Sequence, residues 1–206
     1  MTAVDALARN AIRVFALHRA GTEPQVRAAA ILAEISGAPA ETVRVIRRPN
    51  HAPTCRIGGK PGPSISFAGC PGWSVLAIGG AAAIGVDIER PRPLSVRLHD
   101  LASQAFHPRE RATLARLVPT SAERFFFRCW TRKEAIGKAL GVGLMTDLGA
   151  IDTLGDNDGS WSRVILPGGR HGWVAELPFG RDDVIGAVAS LGDRPELVLS
   201  VEASDR

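Results

Sequence analysis

Three short stretches carry side chains whose types and spacing suit phosphate and metal chemistry. In Ile84-Gly85-Val86-Asp87-Ile88-Glu89 the apolar residues alternate, the period of a strand with one face buried. Gly85, Asp87 and Glu89 then share the other face, the two carboxylates roughly 7 Å apart at Cα by the rise of a strand. Like charges so placed raise each other's pKa unless a cation joins them. Hard oxygen donors in this arrangement suit Mg²⁺ shared with substrate phosphates. Taken alone, the segment reads better as a solvated strand face paired with Arg90 and Arg92. The second stretch, residues 124–141, places Phe126, Trp130, Glu134 and Lys138 at every fourth position, one stripe of a helix. A surface Glu134–Lys138 pair would contribute only a few tenths of a kcal/mol, and alone this stretch also favours that reading. A helix anchored by its aromatic end would instead carry both charges into a cleft. Gly137 would admit a close approach there, at about 1 kcal/mol of helix propensity. The third stretch is Gly58-Gly59-Lys60-Pro61-Gly62. It lacks the GxxxxGK[ST] spacing of a P-loop, and Lys60 in a stiffened loop suits a phosphate or plain solvent.

The elements that must position these residues follow from periodicity and punctuation. Residues 4–19 read as a basic amphipathic helix ended by Gly21. Thr22-Glu23-Pro24-Gln25 reads as a capping box with proline in the first turn, opening a helix through Val26, Ala30, Ile31 and Ile35 to Gly37. Residues 43–47 alternate as a strand. Residues 49–63 hold four prolines and three glycines and read as a loop. Strands are expected at 64–67, 74–78 and 84–89, and Pro91 and Pro93 break the chain. Helices are expected at 98–105, after Pro108 with Leu114 and Leu117 inward, and from a Ser121 cap to Gly141. Residues 147–199 alternate as a β meander, with a polar, dispensable tail after Leu191.

Composition bounds the rest. The chain has 206 residues, 45% hydrophobic and 22% charged, enough for one core or for two small halves sharing one. A formal net charge of +4 suits an anionic ligand or an acidic partner without choosing between them. The absence of a dense Lys/Arg run argues against nucleic acid. The longest apolar run, residues 76–86, is too short and glycine-rich to span a bilayer. Residues 1–5 include an acid and begin no apolar h-region, so no signal peptide is expected and the location expected is cytoplasmic. Cys55, Cys70 and Cys129 are odd in number and widely spaced, as reduced thiols are. His18, His51, His99, His107 and His171 lack metal-ligand spacing, and Trp73, Trp161 and Trp173 fit packing.

Together, the order and content of the three stretches resemble the Sfp-type 4′-phosphopantetheinyl transferases. The matching residues are Gly59-Lys60-Pro61, Ile84-Gly85-Val86-Asp87-Ile88-Glu89, Phe106 with Glu110, and Trp130-Thr131-Arg132-Lys133-Glu134-Ala135-Ile136-Gly137-Lys138. The similarity runs from about Arg27 to about Ser190, and its specific part is GxDxE followed by WxxKExxxK. The resemblance implies an α+β monomer of two pseudo-symmetric halves, residues 1–96 and 97–206, with the active site in the cleft between them. It implies transfer of the phosphopantetheine arm from coenzyme A to a serine of an acyl or peptidyl carrier protein, releasing adenosine 3′,5′-bisphosphate. It implies Mg²⁺ held by Asp87, Glu89 and Glu134 together with the coenzyme A pyrophosphate, and Lys138 on that pyrophosphate. Lys60 and Arg27 would face the 3′-phosphate, and Lys133 matches the family lysine beside the catalytic glutamate. The chemistry agrees: a metal and a lysine stabilise charge growing on phosphoryl oxygens, and a serine hydroxyl needs a base. Glu134 leads for that base, directly or through a water; Asp87 and Glu89 acting on a metal-bound water is the alternative. A basic chain also suits carrier proteins, which are usually acidic.

Two departures stand out. The family's Ser-His-Ser is Ser66-Phe67-Ala68 here; Ser66 keeps its place in the coenzyme site, but Phe67 cannot donate to a phosphate. Losing that contact costs about 1.5–3 kcal/mol unless a nearby cation, Arg44, Arg47, Arg48 or Arg56, replaces it. The chain before Arg27 is also short for the family, whose first strand is expected to be absent. These departures motivate a second reading, a repurposed relative that binds a carrier or its pantetheine arm without transferring it. A weaker third reading is a Mg²⁺-dependent nucleotide phosphohydrolase.

Overall fold

The computed structural model describes residues 10–18, 24–48, 51–80, 82–94, 98–141, 147–158 and 160–201. Four layers follow one another: a helix, a four-stranded sheet, a five-stranded sheet and a long helix. The first sheet has strand order β12-β1-β6-β5, with β1 Ala11–His18, β5 Ser64–Cys70, β6 Trp73–Gly79 and β12 Glu196–Val201. The second has order β7-β11-β10-β9-β8, with β7 Ile84–Glu89, β8 Asp156–Asp158, β9 Trp161–Ile165, β10 His171–Glu176 and β11 Ile185–Ser190. A small sheet, β2-β3-β4, joins Val43–Ile46, Thr54–Ile57 and Lys60–Pro61. The helices are α1 Pro24–Ser36, α2 Leu98–Ala105, α3 Pro108–Leu114 and α4 Pro119–Leu140. This is the α+β class expected from the sequence.

Alternation along the strands builds the layers. Ile12, Val14 and Ala16 of β1 and Trp73, Val75 and Ala77 of β6 face inward. They meet Ile84, Val86 and Ile88 of β7 and Val188 of β11 in one core between the sheets. The opposite face of the first sheet, Ile65, Leu76 and Ile78, packs on Ala28, Leu32 and Ile35 of α1. The opposite face of the second, with Val174, Ala187 and Ala189, packs on Ala135, Ile136 and Ala139 of α4. The aromatic start of α4 is anchored as its sequence suggested. Phe126 stacks on Phe106 and on Trp130, at centroid separations of 4.9 and 6.1 Å.

Several expectations are corrected here. Residues 11–18, read as part of a helix, form β1, which pairs antiparallel with β6 and parallel with β12. The first strand is therefore present; residues 4–9 and 19 of the expected helix lie outside the described residues, as do Thr22 and Glu23 of the capping box. The loop at 49–63 contains β3 and β4, a hairpin in which Lys60 pairs with Ile57. The tail judged dispensable supplies β12. Strands also cross the expected division at 96/97: β7 pairs with β11 in the second sheet, and β12 returns to the first. Helix α4 starts at Pro119 with Val118 as its N-cap, not at a Ser121 cap, and ends as expected at Gly141 in the left-handed region, φ 70°.

Candidate active site

Each large sheet ends in an unpaired edge, β5 in the first and β7 in the second, and the two edges lie together. Edge strands present backbone groups without ladder partners, and buried ones must find others. The Val86 amide donates to Ser66 Oγ at 3.1 Å. Lys138 Nζ of α4 donates to the Val86 carbonyl at 2.9 Å and to the Phe67 carbonyl at 3.3 Å. Its third donor meets Asp87 Oδ1 at 2.8 Å. One ammonium thus ties both sheet edges to an acid on β7.

Helix α4 reaches β7 because Gly85 has no side chain. A Cβ there would stand 1.9 Å from the Ala135 carbonyl oxygen and 2.6 Å from the Ala139 amide nitrogen. The backbones of strand and helix therefore touch one residue past Glu134. This contact brings the stripe of α4 over the acidic face of β7. Asp87 is 8% exposed, and Glu89 and Glu134 are half-buried.

The electrostatics record the meeting of three carboxylates. Burial pushes the Asp87 carboxyl up, and Lys138 beside it opposes the rise. Burial also raises Glu89, reinforced by the charge of Asp87 and opposed by Arg92. Glu134 is raised by burial, then by Asp87 and Glu89, against Lys138. Asp87 acts on Glu89, and both act on Glu134, so the helix residue lies within electrostatic reach of the strand pair. The partners proposed for a solvated face are only partly used. Arg92 stands 3.7 Å from Glu89, while Arg90 pairs with Asp183 at 2.7 Å.

Asp87 Oδ2 is buried with no hydrogen-bond partner. A buried carboxylate oxygen without a donor is costly, and a hard cation would satisfy it. Asp87 Oδ2, with Glu89 and Glu134 in the same acidic neighbourhood, suits such an ion. The site is not a closed cage: among the described residues, no group of three or more His, Cys, Asp or Glu side chains is arranged to hold a metal ion. Oxygens of a ligand would have to complete the coordination, which is the habit of Mg²⁺.

Other expected site residues lie elsewhere. Lys133, expected at the coenzyme, is 1% exposed. Its Nζ donates to Glu110 Oε2 at 2.9 Å and to the Leu148 and Ile151 carbonyls at 2.7 Å each, so no donor remains for a ligand. Ser66 is 3% exposed and spends its hydroxyl acceptor on Val86, which makes it a link between sheets. Lys60 is exposed on β4, and Arg27 is half-buried on α1. Neither is among the charges acting most on the three carboxylates. At the Phe67 departure, the Arg47 guanidinium lies over the phenyl ring, 5.8 Å from its centroid. No acid occurs between Glu41 and Asp87, while Arg44, Arg47, Arg48, Arg56 and Lys60 do. Sequence reasoning missed the contact at Gly85, although a glycine inside a strand signals close backbone approach. It also missed the partners of Lys133; its only available signal was Glu110 after Phe106.

The profile of the 4′-phosphopantetheinyl transferase superfamily matches residues 83–187, a span that includes Asp87, Glu89, Glu134 and Lys138. Over 71 residues the chain is 41% identical to the 4′-phosphopantetheinyl transferase HetI of Nostoc sp.. That segment is 34% of this chain and 30% of the relative, so the chain matches less than a third of the length of that protein.

Proposed function

The chain belongs to the 4′-phosphopantetheinyl transferase superfamily, and from that premise we propose that it is an Sfp-type enzyme transferring phosphopantetheine from coenzyme A to a serine of an acyl or peptidyl carrier protein. The observation that supports this reading is the Lys138–Asp87 ion pair, with Asp87 and Glu89 both acting on Glu134 and Asp87 Oδ2 left without a partner. Asp87, Glu89 and Glu134 would hold Mg²⁺. Bound there, the ion would neutralise charge on the pyrophosphate as the bond to the leaving phosphate breaks.

The protein's own groups perform the remaining work. Lys138 places an ammonium beside Asp87, where it can follow charge developing on the phosphoryl oxygens. Glu134 is a carboxylate whose affinity for a proton is raised by burial and by two acidic neighbours. A stronger base is what a serine hydroxyl needs as its oxygen attacks phosphorus. The proton goes to Glu134, the serine oxygen bonds to the β-phosphorus, and adenosine 3′,5′-bisphosphate departs. The run of five cations without an acid on β2, β3, β4 and their connections supports binding of the 3′-phosphate on that side. Arg47, whose guanidinium lies over the Phe67 ring, would supply the phosphate contact that the family histidine makes.

The test mixes the protein with Mg²⁺, coenzyme A and a panel of apo-carrier proteins and follows the phosphopantetheine mass shift on the carrier serine. Transfer that is lost in Asp87→Ala and Glu134→Ala, with folding intact, supports the proposal. Carrier binding without transfer on every carrier would favour the repurposed relative, for which Phe67 and Ala68 remain the motive. Release of adenosine bisphosphate without any carrier would mark a hydrolase.

A further inference from the structure

A fully satisfied buried polar cluster lies beside the site, not in it. Glu110 of α3 is 0% exposed and Lys133 of α4 is 1% exposed. Glu110 Oε2 accepts from Lys133 Nζ and from the His107 amide, both at 2.9 Å. Its Oε1 accepts from the Thr153 amide at 2.9 Å and the Thr153 hydroxyl at 2.5 Å. The other two donors of Lys133 go to the Leu148 and Ile151 carbonyls. Every donor of the ammonium is used and each carboxylate oxygen accepts twice, so the cluster has little room for a second arrangement. It joins three segments: the start of α3, the middle of α4 and the chain at 148–153.

Stability alone is a poor account of such a pair. Desolvating two charges offsets most of their attraction, and well-packed apolar replacements are often as stable or more so. What a closed polar cluster supplies is a single geometry. Lys133 immediately precedes Glu134, and its side chain leaves α4 about 100° around the axis from the glutamate. On the β7 side, the helix backbone is pressed onto Gly85 at Ala135 and Ala139. Helix α4 is thus held on one side by backbone contact and on another by the Lys133 cluster, with Glu134 between them. A roll of 20° would sweep a side-chain tip at about 5–6 Å from the axis through about 2 Å. Misplacement by about 1 Å costs on the order of 10²-fold in rate.

Resting on the transferase reading above, we propose that Lys133 and Glu110 are positioning residues, whose closed buried cluster fixes the roll of α4 and so aims Glu134 and Lys138 at Asp87. The decisive variant is Lys133→Met with Glu110→Leu, which removes both charges together and leaves neither buried alone. Three quantities are measured: the melting temperature, the transfer rate per folded molecule well below it, and the affinity for Mg²⁺ in the presence of coenzyme A by titration calorimetry. The expected result is a folded protein with a rate at least 10-fold lower and Mg²⁺ binding weakened several-fold. Wild-type rate and Mg²⁺ affinity in the folded double variant would overturn the proposal, since a merely structural pair changes only the melting temperature. If the double variant does not fold, Thr153→Val and Glu110→Gln, each trimming one part of the cluster, are judged by the same criteria. Wild-type controls keep the two readings apart: a wild type that transfers to no carrier counts against the activity. A wild type that binds Mg²⁺ no better than the variants counts against the positioning role alone.

Discussion

Replacing Gly85 with alanine tests the strand-to-helix contact on which the site depends. Its backbone is not in the left-handed region, so alanine brings no dihedral strain; the effect is purely one of space. The new Cβ would stand 1.9 Å from the Ala135 carbonyl oxygen, and neither that oxygen nor the Ala139 amide nitrogen at 2.6 Å is the end of a flexible side chain. To open 1.9 Å to the 3.4 Å at which ordinary contact begins, β7 and α4 must part by about 1.5 Å. Overpacking of this kind costs about 1–3 kcal/mol, a fall in melting temperature of roughly 2–12 °C for a domain of this size. The functional effect should be larger. Glu134 and Lys138 ride on α4 while Asp87 and Glu89 ride on β7, so the same parting separates the base from the acids by more than the about 1 Å that already costs about 10²-fold. The assay is the initial rate of phosphopantetheine transfer per folded molecule, at saturating coenzyme A and Mg²⁺, alongside thermal unfolding by circular dichroism. Gly79→Ala is the control: its Cβ would meet the Ile84 side chain at 2.9 Å, within the core between the sheets, where a side chain can give. It should lose stability without losing rate. A Gly85→Ala protein with wild-type rate, or one whose loss equals its unfolded fraction, would refute the reasoning.

Asp87→Asn should abolish transfer, by at least about 10²-fold, yet raise the melting temperature measured without Mg²⁺, because burial makes the ionised carboxyl unfavourable there; a lower melting temperature would contradict that account. Asp87, Glu89 and Glu134 are all raised, so the native state holds protons that the unfolded chain releases. Without Mg²⁺, their contribution to stability is greatest below the ordinary carboxylate range and is lost as pH rises through the raised values. Mg²⁺ with coenzyme A should flatten this slope, read by denaturant unfolding across pH. Phe67→His should lower the KM for coenzyme A; an unchanged KM that rises only in Arg47→Ala would show that the guanidinium over the ring already serves the phosphate. Deleting residues 196–206 should cost about 2–4 kcal/mol, since Leu197 and Leu199 are partly packed against the core, and an unchanged melting temperature would return the tail to the dispensable role first expected of it.

The site was legible where chemistry and local period coincide, and obscure where distant partners decide. Strand period puts Asp87 and Glu89 on one face of β7, and helix period puts Glu134 and Lys138 on one stripe of α4; the family resemblance joined the two pairs. Neither period says how near the two elements come. That distance is set by one missing side chain, at Gly85, and by Lys138 satisfying carbonyls of two sheet edges. The strand β1 was misread because Ala, Leu and Arg around it have high helix propensity. Its alternation of Ile12, Val14 and Ala16 prevails because β6 and β12 flank it in the fold, a tertiary override of local preference. The hairpin of β3 and β4 was hidden by glycine and proline, yet Pro61 is tolerated because β4 is an edge.

Lys133 shows the limit most clearly. Its place in the motif, next to Glu134, suggested a ligand contact, and a lysine beside an acid cluster ordinarily supports that. Helix geometry argues otherwise: neighbours in a helix point about 100° apart, so if Glu134 faces β7, Lys133 faces away from it. Once buried, its ammonium requires acceptors, and Glu110 with two carbonyls supplies them. The adjacent pair in the sequence therefore divides into one residue that can meet the reacting groups and one that holds the helix still. Helix period marks the difference in direction, because two side chains that must reach the same ligand from one helix are set three or four positions apart, as Glu134 and Lys138 are; it does not name the partners that hold Lys133.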